Sequence, residues 1–334
     1  MFGKVSVLMP VLNGASYLQE ALSSLEIQTY RDFELLVWDN GSTDGTLEIL
    51  QHWIPGKLPG HVFKGEPLSL GQSLARLVEA SQNELCARMD ADDICHPDRL
   101  MRQLMYLKGK PNLSLIGTDR VCIDLNGNTI DVSSSLPYDP TDILHCTLVG
   151  PRILHPTVLF KRSAVLGAGN YQDHSTCEQP YWSEDYDLWM RLQTFGLAAT
   201  IPDQLLFYRI NPDGVTQKAM REKRAAVARR RVWERNAAAF TGIPAISAMK
   251  IHDRRCSFLL PLALQVSKHF SILDGIETTT RIIKPSFLLA IGKYTNPRDI
   301  ITRLWLRIML AFSNSEILSA KLNVLPKSVR GHLE

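Results

Sequence analysis

Residues 84–93 read Glu84-Leu85-Cys86-Ala87-Arg88-Met89-Asp90-Ala91-Asp92-Asp93. The first six form a short, mostly apolar run suited to a buried strand, and the last four set three carboxylates at its end. Like charges this close repel unless a cation neutralises them. Hard divalent cations such as Mg²⁺ or Mn²⁺ prefer oxygen ligands and are held by one or two carboxylates together with substrate phosphates. In isolation the same run also reads as an acidic turn in water, followed by a helix cap at Pro97-Asp98.

Toward the N-terminus, Val5-Ser6-Val7-Leu8-Met9-Pro10 is an apolar, β-branched strand closed by proline. Asn13 stands where it can cap a helix whose Leu18, Ala21, Leu22 and Leu25 recur at helical spacing. Phe33–Trp38 is a second strand, ending in the turn Asp39-Asn40-Gly41-Ser42-Thr43-Asp44-Gly45. A short helix from Thr46 to Trp53 follows, then a loop with a short strand over 54–68. A further helix over 70–81 shows Leu74, Leu77 and Val78 on one face. This alternation predicts an α/β domain with a largely parallel sheet. Ligands of such sheets bind outside the carboxyl ends of the strands. Right-handed crossovers bring the polar ends Pro10–Asn13, Asp39–Asp44 and Asp90–Asp93 to one edge. The turn 40–45 has no Walker lysine, and no G-x-G-x-x-G opens the first helix. That argues against a P-loop NTPase and a standard dinucleotide fold.

Further on, Leu188, Trp189 and Leu192 make a helical apolar stripe, with Glu184 and Asp185 in its first turn. Acids belong there because the helix dipole favours negative charge. They read either as structural helix-start acids or as a carboxylate base beside a metal site.

The chain has 334 residues, 45% hydrophobic and 21% charged, which excludes wholesale disorder and suggests about two domains. No apolar run reaches the ~18 residues of a simple membrane span. The first residues lack the features of a secretory signal. Six cysteines without a C-x-x-C pair fit buried thiols in a reducing, cytoplasmic compartment. Charge is divided: residues 1–214 hold 16 basic and 26 acidic residues, net −10, and residues 215–334 hold 21 and 8, net +13. The turn Asn211–Gly214 marks the boundary between an acidic domain, 1–214, and a basic, mainly helical region, 215–334. The basic region points to an anionic membrane surface or to the acidic domain itself. Residues 299–312 carry an apolar face with Arg303 and Arg307 elsewhere, as an interfacial helix does. No zinc-finger or RNA-binding signature points to nucleic acid.

Taken together, these pieces resemble a family 2 glycosyltransferase of the GT-A fold, of the bacterial polysaccharide-biosynthesis type. Val5–Asn13 resembles the opening nucleotide strand, Trp38–Thr46 the D-D-G-S-T-D-G-T segment, and Arg88–Asp93 with Pro97–Leu100 the D-x-D block. Leu154–Val158 and Gly169–Tyr171 resemble the strand and turn before the acceptor region, Glu184–Leu192 the E-D motif, and Leu205–Arg209 the closing strand. The order matches over about residues 3–212; Leu12 and Trp38 depart from the usual tyrosine and aspartate. The resemblance implies a nucleotide-diphospho-sugar transferase fold, a mostly parallel sheet flanked by helices, with a helical C-terminal extension. It implies inverting transfer from a nucleotide-sugar donor to a sugar or lipid-linked acceptor. Pro10, Leu12, Asn13, Asp39, Asp90 and Asp92 would bind the donor, with Asp92 and Asp90 on Mg²⁺ or Mn²⁺. Asp185 would be the general base. His155, Glu184 and Trp182 would serve the acceptor, Trp182 from an acceptor loop 172–182 that also carries His174 and Cys177. The expected location is cytoplasmic, with a peripheral contact to the inner membrane face. The alternatives are a nucleotidyltransferase of the same fold and a non-catalytic sugar-binding scaffold.

Overall fold

The computed structural model describes residues 2–131, 153–173, 183–192 and 194–222, with the single positions 228, 231, 232, 235 and 236. The chain divides into two compact units, Met1–Trp233 and Glu234–Glu334, and every element below belongs to the first. The helix expected over 299–312 and nearly all of the basic region fall outside the described residues, as do Trp182, His174 and Cys177.

The order of elements is β1 (Val5–Val11), α1 (Ala15–Glu26), β2 (Phe33–Asp39), α2 (Thr46–Trp53), β3 (Gly60–Lys64), α3 (Leu70–Ala80) and β4 (Leu85–Arg88). Then come β5 (Ile94–Cys95), α4 (Arg99–Leu107), β6 (Leu113–Ile123) and β7 (Thr129–Asp131). A 3-10 turn (His155–Thr157), β8 (Leu159–Lys161), α5 (Arg162–Gly167), α6 (Glu184–Leu192), β9 (Leu197–Arg209) and α7 (Val215–Arg221) complete it. Among the described residues the strands form one sheet in the order β3-β2-β1-β4-β8-β6-β9-β5, with β7 on β6. β1 to β4 are parallel to one another, and β8 reverses direction between β4 and β6. β9 runs parallel to β6, and β5 and β7 are antiparallel partners. The expected α/β architecture is present, but the sheet is mixed rather than mostly parallel: β1 to β4 and the β6–β9 pair run parallel, and the pairings of β8, β5 and β7 are antiparallel.

β1 is buried along its whole length because both faces are covered. Val5, Val7, Met9 and Val11 pack with Leu18, Leu22 and Leu25 of α1 and Leu100 and Leu104 of α4. Leu8 packs on the other face with Leu74 and Leu77 of α3 and Leu188 and Trp189 of α6. The same period of two sends Ala87 of β4 to the α1 face and Cys86 to the α6 face. Arg88 therefore points to the α6 side. Cys86, Cys95 and Cys122 are buried free thiols, as expected.

Four local expectations are corrected. β1 does not close at Pro10 but runs to Val11. The Leu8 carbonyl faces β4 and the Val11 carbonyl faces β2, so alternation turns Pro10 toward β4. β4 has ended there, opposite Leu8, and the missing N–H costs no ladder bond. Asn13 does not cap α1; Gly14 is the cap residue, without a side-chain bond. Asn13 is instead left-handed, with φ 50°, and its Oδ1 accepts from the Thr43 N–H at 2.8 Å. Asp98 occupies the cap position of α4 but makes no side-chain cap bond. His155 opens a 3-10 turn rather than a strand.

Candidate active site

The parallel register places Val11 beside Asp39, Asp39 beside Lys64, and Leu8 beside Arg88, so β1, β2, β3 and β4 end on one edge. Asp39 is fully buried there. Its Oδ1 accepts from the Ser42 N–H at 3.1 Å and from the Ser42 hydroxyl, while its Oδ2 is buried with no hydrogen-bond partner among the described residues. An acceptor left open at a strand end suits a ligand N–H or O–H. The flanking loops are stitched together: the Asn13 N–H donates to Ser42 Oγ, Gly14 N–H to Thr46 Oγ1, and Ala15 N–H to Asp44 Oδ2. Pro10, Asn13 and Asp39 thus share one rim. Leu12 is 57% exposed on it, a free apolar surface at the position where tyrosine was usual.

The Asp90–Asp93 loop forms the next part of the rim. Asp90, Asp92 and Asp93 each offer a carboxylate oxygen within 4.8 Å of the others. Asp93 is fully buried; its Oδ1 accepts from the Arg209 N–H at 2.9 Å, and its Oδ2 has no partner among the described residues. Burial, then repulsion from Asp90, pushes the Asp92 carboxyl up to about 6, and the same causes raise Asp93 well above the carboxylate range. The Arg88 guanidinium bonds Asp90 Oδ2 from the buried side. Behind it, Arg99 of α4 donates to the Arg88 carbonyl at 2.7 Å and so fixes where β4 stops.

The start of α6 forms the third part. Leu188, Trp189 and Leu192 are buried in the core, each contributing about 1.5–3 kcal/mol. Together they offset the several kcal/mol that desolvating two acids costs. Burial first and Asp185 next push the Glu184 carboxyl up to about 7. Asp185 is raised as well, chiefly by burial, and its Oδ1 accepts from the Tyr186 N–H at 2.7 Å. His155 lies beside Glu184, with Nδ1 3.7 Å from Oε1 and Nε2 3.0 Å from the Tyr171 hydroxyl. Burial, then the nearby Arg88 charge, holds His155 well below its ordinary value, so its ring is neutral.

Four observations join these parts. Arg88 acts electrostatically on Asp92, Asp93, Glu184 and Asp185 alike, and Asp90 acts on Glu184. Asn40, next to Asp39, exchanges hydrogen bonds with Ser73 of α3. Ser69, which caps α3, donates to Asp173 at 3.0 Å. Gly71 sits in the first turn of α3, where a Cβ would lie 2.9 Å from the Gln172 carbonyl oxygen and 3.3 Å from Glu184 Cβ. Its missing side chain lets α6 approach. The sequence does not single out Arg88, Gly71, Tyr171 or Arg209, and it marks Asp93 only as one of three clustered carboxylates. Arg88 has a local signal, a basic residue closing the strand two positions before Asp90; Gly71 has one as a glycine inside a helical pattern.

Residues 6–165 match the profile of Glycosyl transferase family 2. The amylovoran biosynthesis glycosyltransferase AmsE of Erwinia amylovora is 31% identical over 204 residues, 60% of this chain and 73% of its own. The O-antigen biosynthesis glycosyltransferase WbnJ of Escherichia coli is 32% identical over 192 residues, 56% of this chain and 71% of its own. In fold the chain is similar to S. aureus TarS, solved in complex with UDP-GlcNAc, with a TM-score of 0.57 at 17% identity over 99% of this chain and 89% of that one. The fold is GT-A, and the family sets aside the nucleotidyltransferase alternative. On its sequence and its architecture together, the chain belongs to glycosyltransferase family 2.

Proposed function

We propose that the protein moves a sugar from a nucleotide-sugar donor to an acceptor hydroxyl with inversion, in the assembly of a cell-surface polysaccharide or glycolipid. The observation that carries this reading is the gathering of Asp39, the Asp90–Asp93 loop and the Glu184–Asp185 pair around the ends of four parallel strands, with Arg88 bonded to Asp90 and acting on the charge of the pair. The names of AmsE and WbnJ support polysaccharide assembly, and the TarS complex supports a nucleotide-sugar donor.

Asp39 Oδ2 would accept from the nucleoside. Asp92 and Asp90 would hold Mg²⁺ or Mn²⁺: their all-oxygen set, with an Asp93 carboxylate oxygen within 4.8 Å of theirs, fits a hard cation. The cation, when bound, supplies charge stabilisation for the departing diphosphate. A neighbouring solved structure, the mannosyltransferase PcManGT of Pyrobaculum calidifontis, is in complex with GDP-Man and Mn²⁺. In the reaction the acceptor oxygen bonds to the anomeric carbon, the bond from that carbon to the phosphate oxygen breaks, and the nucleoside diphosphate leaves with the electron pair. Asp185 takes the acceptor proton. A positioned base contributes typically 10²–10⁴-fold, or about 3–5 kcal/mol of barrier. Glu184, with His155 and Tyr171 behind it, orients the acceptor.

No helix among the described residues is long and apolar enough to cross a membrane. The net +13 of residues 215–334 supports a peripheral contact with an anionic surface, and flotation with anionic vesicles tests it. The main test is donor turnover by the full chain with Mn²⁺ across a panel of nucleotide sugars. Release of nucleoside diphosphate that depends on Asp185 and on added metal is the expected result. A chain that turns over none of them would stand as the scaffold alternative.

A further inference from the structure

We propose that Arg209 positions the Asp90–Asp93 loop and so sets how tightly its carboxylates hold a divalent cation; the inference rests on the metal reading above. Arg209 is the last residue of β9 and is only 3% exposed. Its Nε donates to the Asp92 carbonyl at 2.8 Å, and its Nη1 donates to the carbonyls of Asp124 and Leu125, each at 3.1 Å. Its Nη2 donates to Glu20 Oε2 at 2.7 Å, and the guanidinium lies 4.5 Å from the Tyr17 ring centre. The backbone N–H of the same residue holds Asp93 Oδ1. One side chain therefore ties the acidic loop to α1 and to the β6–β7 hairpin.

The loop needs such a tie. β4 has already ended at Arg88, and β5 beyond it is only two residues long. Arg209 takes up the Asp92 carbonyl and one Asp93 oxygen, which leaves the Asp92 carboxylate and Asp93 Oδ2 for other partners. A planar five-donor fork can serve three segments at once, whereas a lysine ammonium on a flexible stem cannot. Groups that orient metal ligands in this way are worth 10–100-fold in metal affinity.

The sign of the effect separates positioning from plain charge. As a nearby cation Arg209 repels a divalent ion, so removing it would tighten binding. As a positioning group, its removal loosens binding. A purely structural role would lower the melting temperature and leave the affinity of the folded protein unchanged. The experiment is calorimetric titration of the full chain with Mn²⁺, in parallel arms containing UDP and GDP, for the wild type, Arg209→Met, Arg209→Lys and Glu20→Gln. The expected result is a 10–100-fold loss for Arg209→Met, a smaller loss for Arg209→Lys, and little change for Glu20→Gln, which leaves the loop bonds intact. Unchanged or tighter binding by Arg209→Met overturns the proposal. Should that variant fail to fold, unchanged binding by Arg209→Lys overturns it. A wild-type chain that binds Mn²⁺ in neither arm refutes the metal reading and takes the proposal with it.

Discussion

The carboxylates that follow β4 are wrapped in donors, whereas those that open α6 are pressed against a hydrophobic core. Arg88 bonds Asp90 and Arg209 bonds the backbone of Asp92, so the first cluster keeps fixed cations within reach of its acids. Among the described residues, Arg88 also acts on the charge of Glu184 and Asp185, and the His155–Tyr171 pair lies beside Glu184. Both clusters are pushed up by burial, yet they suit different work. Acids held by cations, with an oxygen left open, are ready to exchange one positive partner for another. Acids raised by burial are ready to take a proton, because desolvation has already increased their basicity.

Exchanging each acid for its neutral amide is the most direct way to break the contrast. Asp185→Asn removes the base and is expected to lower turnover 10²–10⁴-fold while donor binding persists. Single-turnover assays with parallel donor titrations check it; near-normal turnover would end the assignment. Asp92→Asn is expected to cut Mn²⁺-dependent donor binding at least 10-fold, with little loss of metal-free nucleotide binding. Equal donor affinity with and without Mn²⁺ in wild type and variant alike would remove Asp92 from the metal site.

The donor side of the site was the more legible in the sequence. The strand ends at Asn13, Asp39 and Asp90 announce themselves through apolar runs stopped by polar residues, which is local information. The role of Asn13 was misread because its partner, Thr43, is 30 residues away and its φ is positive. Arg209 was invisible as a site residue because its partners are as far as Glu20, 189 residues distant. In the sequence Tyr171 reads only as part of a turn; its bond to His155 depends on how the 3-10 turn packs. Local pattern specifies elements and their ends, while the support behind a functional side chain is assembled by packing.

Gly71 tests whether the two clusters must sit at their present separation. A Cβ there would meet the Gln172 carbonyl at 2.9 Å, so Gly71→Ala forces α3 and the start of α6 apart. The expected cost is about 1–3 kcal/mol of stability. Turnover is expected to fall about 10-fold, since a displacement near 1 Å can cost up to 10²-fold. The Mn²⁺ affinity, set on the other side of the site, is expected to hold. Loss of metal affinity equal to the loss of turnover would show that the clusters are not separable.

The smallest expected effect is on stability, and it reads the burial of Glu184 directly. Its carboxyl is pushed up to about 7 from an ordinary value of 4.5, so the folded chain binds this proton more tightly than the unfolded chain. That contribution is fully present below about pH 4.5 and is lost as the pH rises through about 7, on the order of 2 kcal/mol in all. Glu184→Gln keeps the shape and removes the titration. The variant is expected to melt a few degrees above the wild type at pH 8 and to match it near pH 5, each measured by thermal unfolding. Mn²⁺ acts on the other cluster, so it is expected to raise the melting temperature of both proteins at pH 8 without closing the gap between them. A gap that Mn²⁺ abolishes would mean that Glu184 draws its raised basicity from the Asp90–Asp93 loop rather than from its own burial.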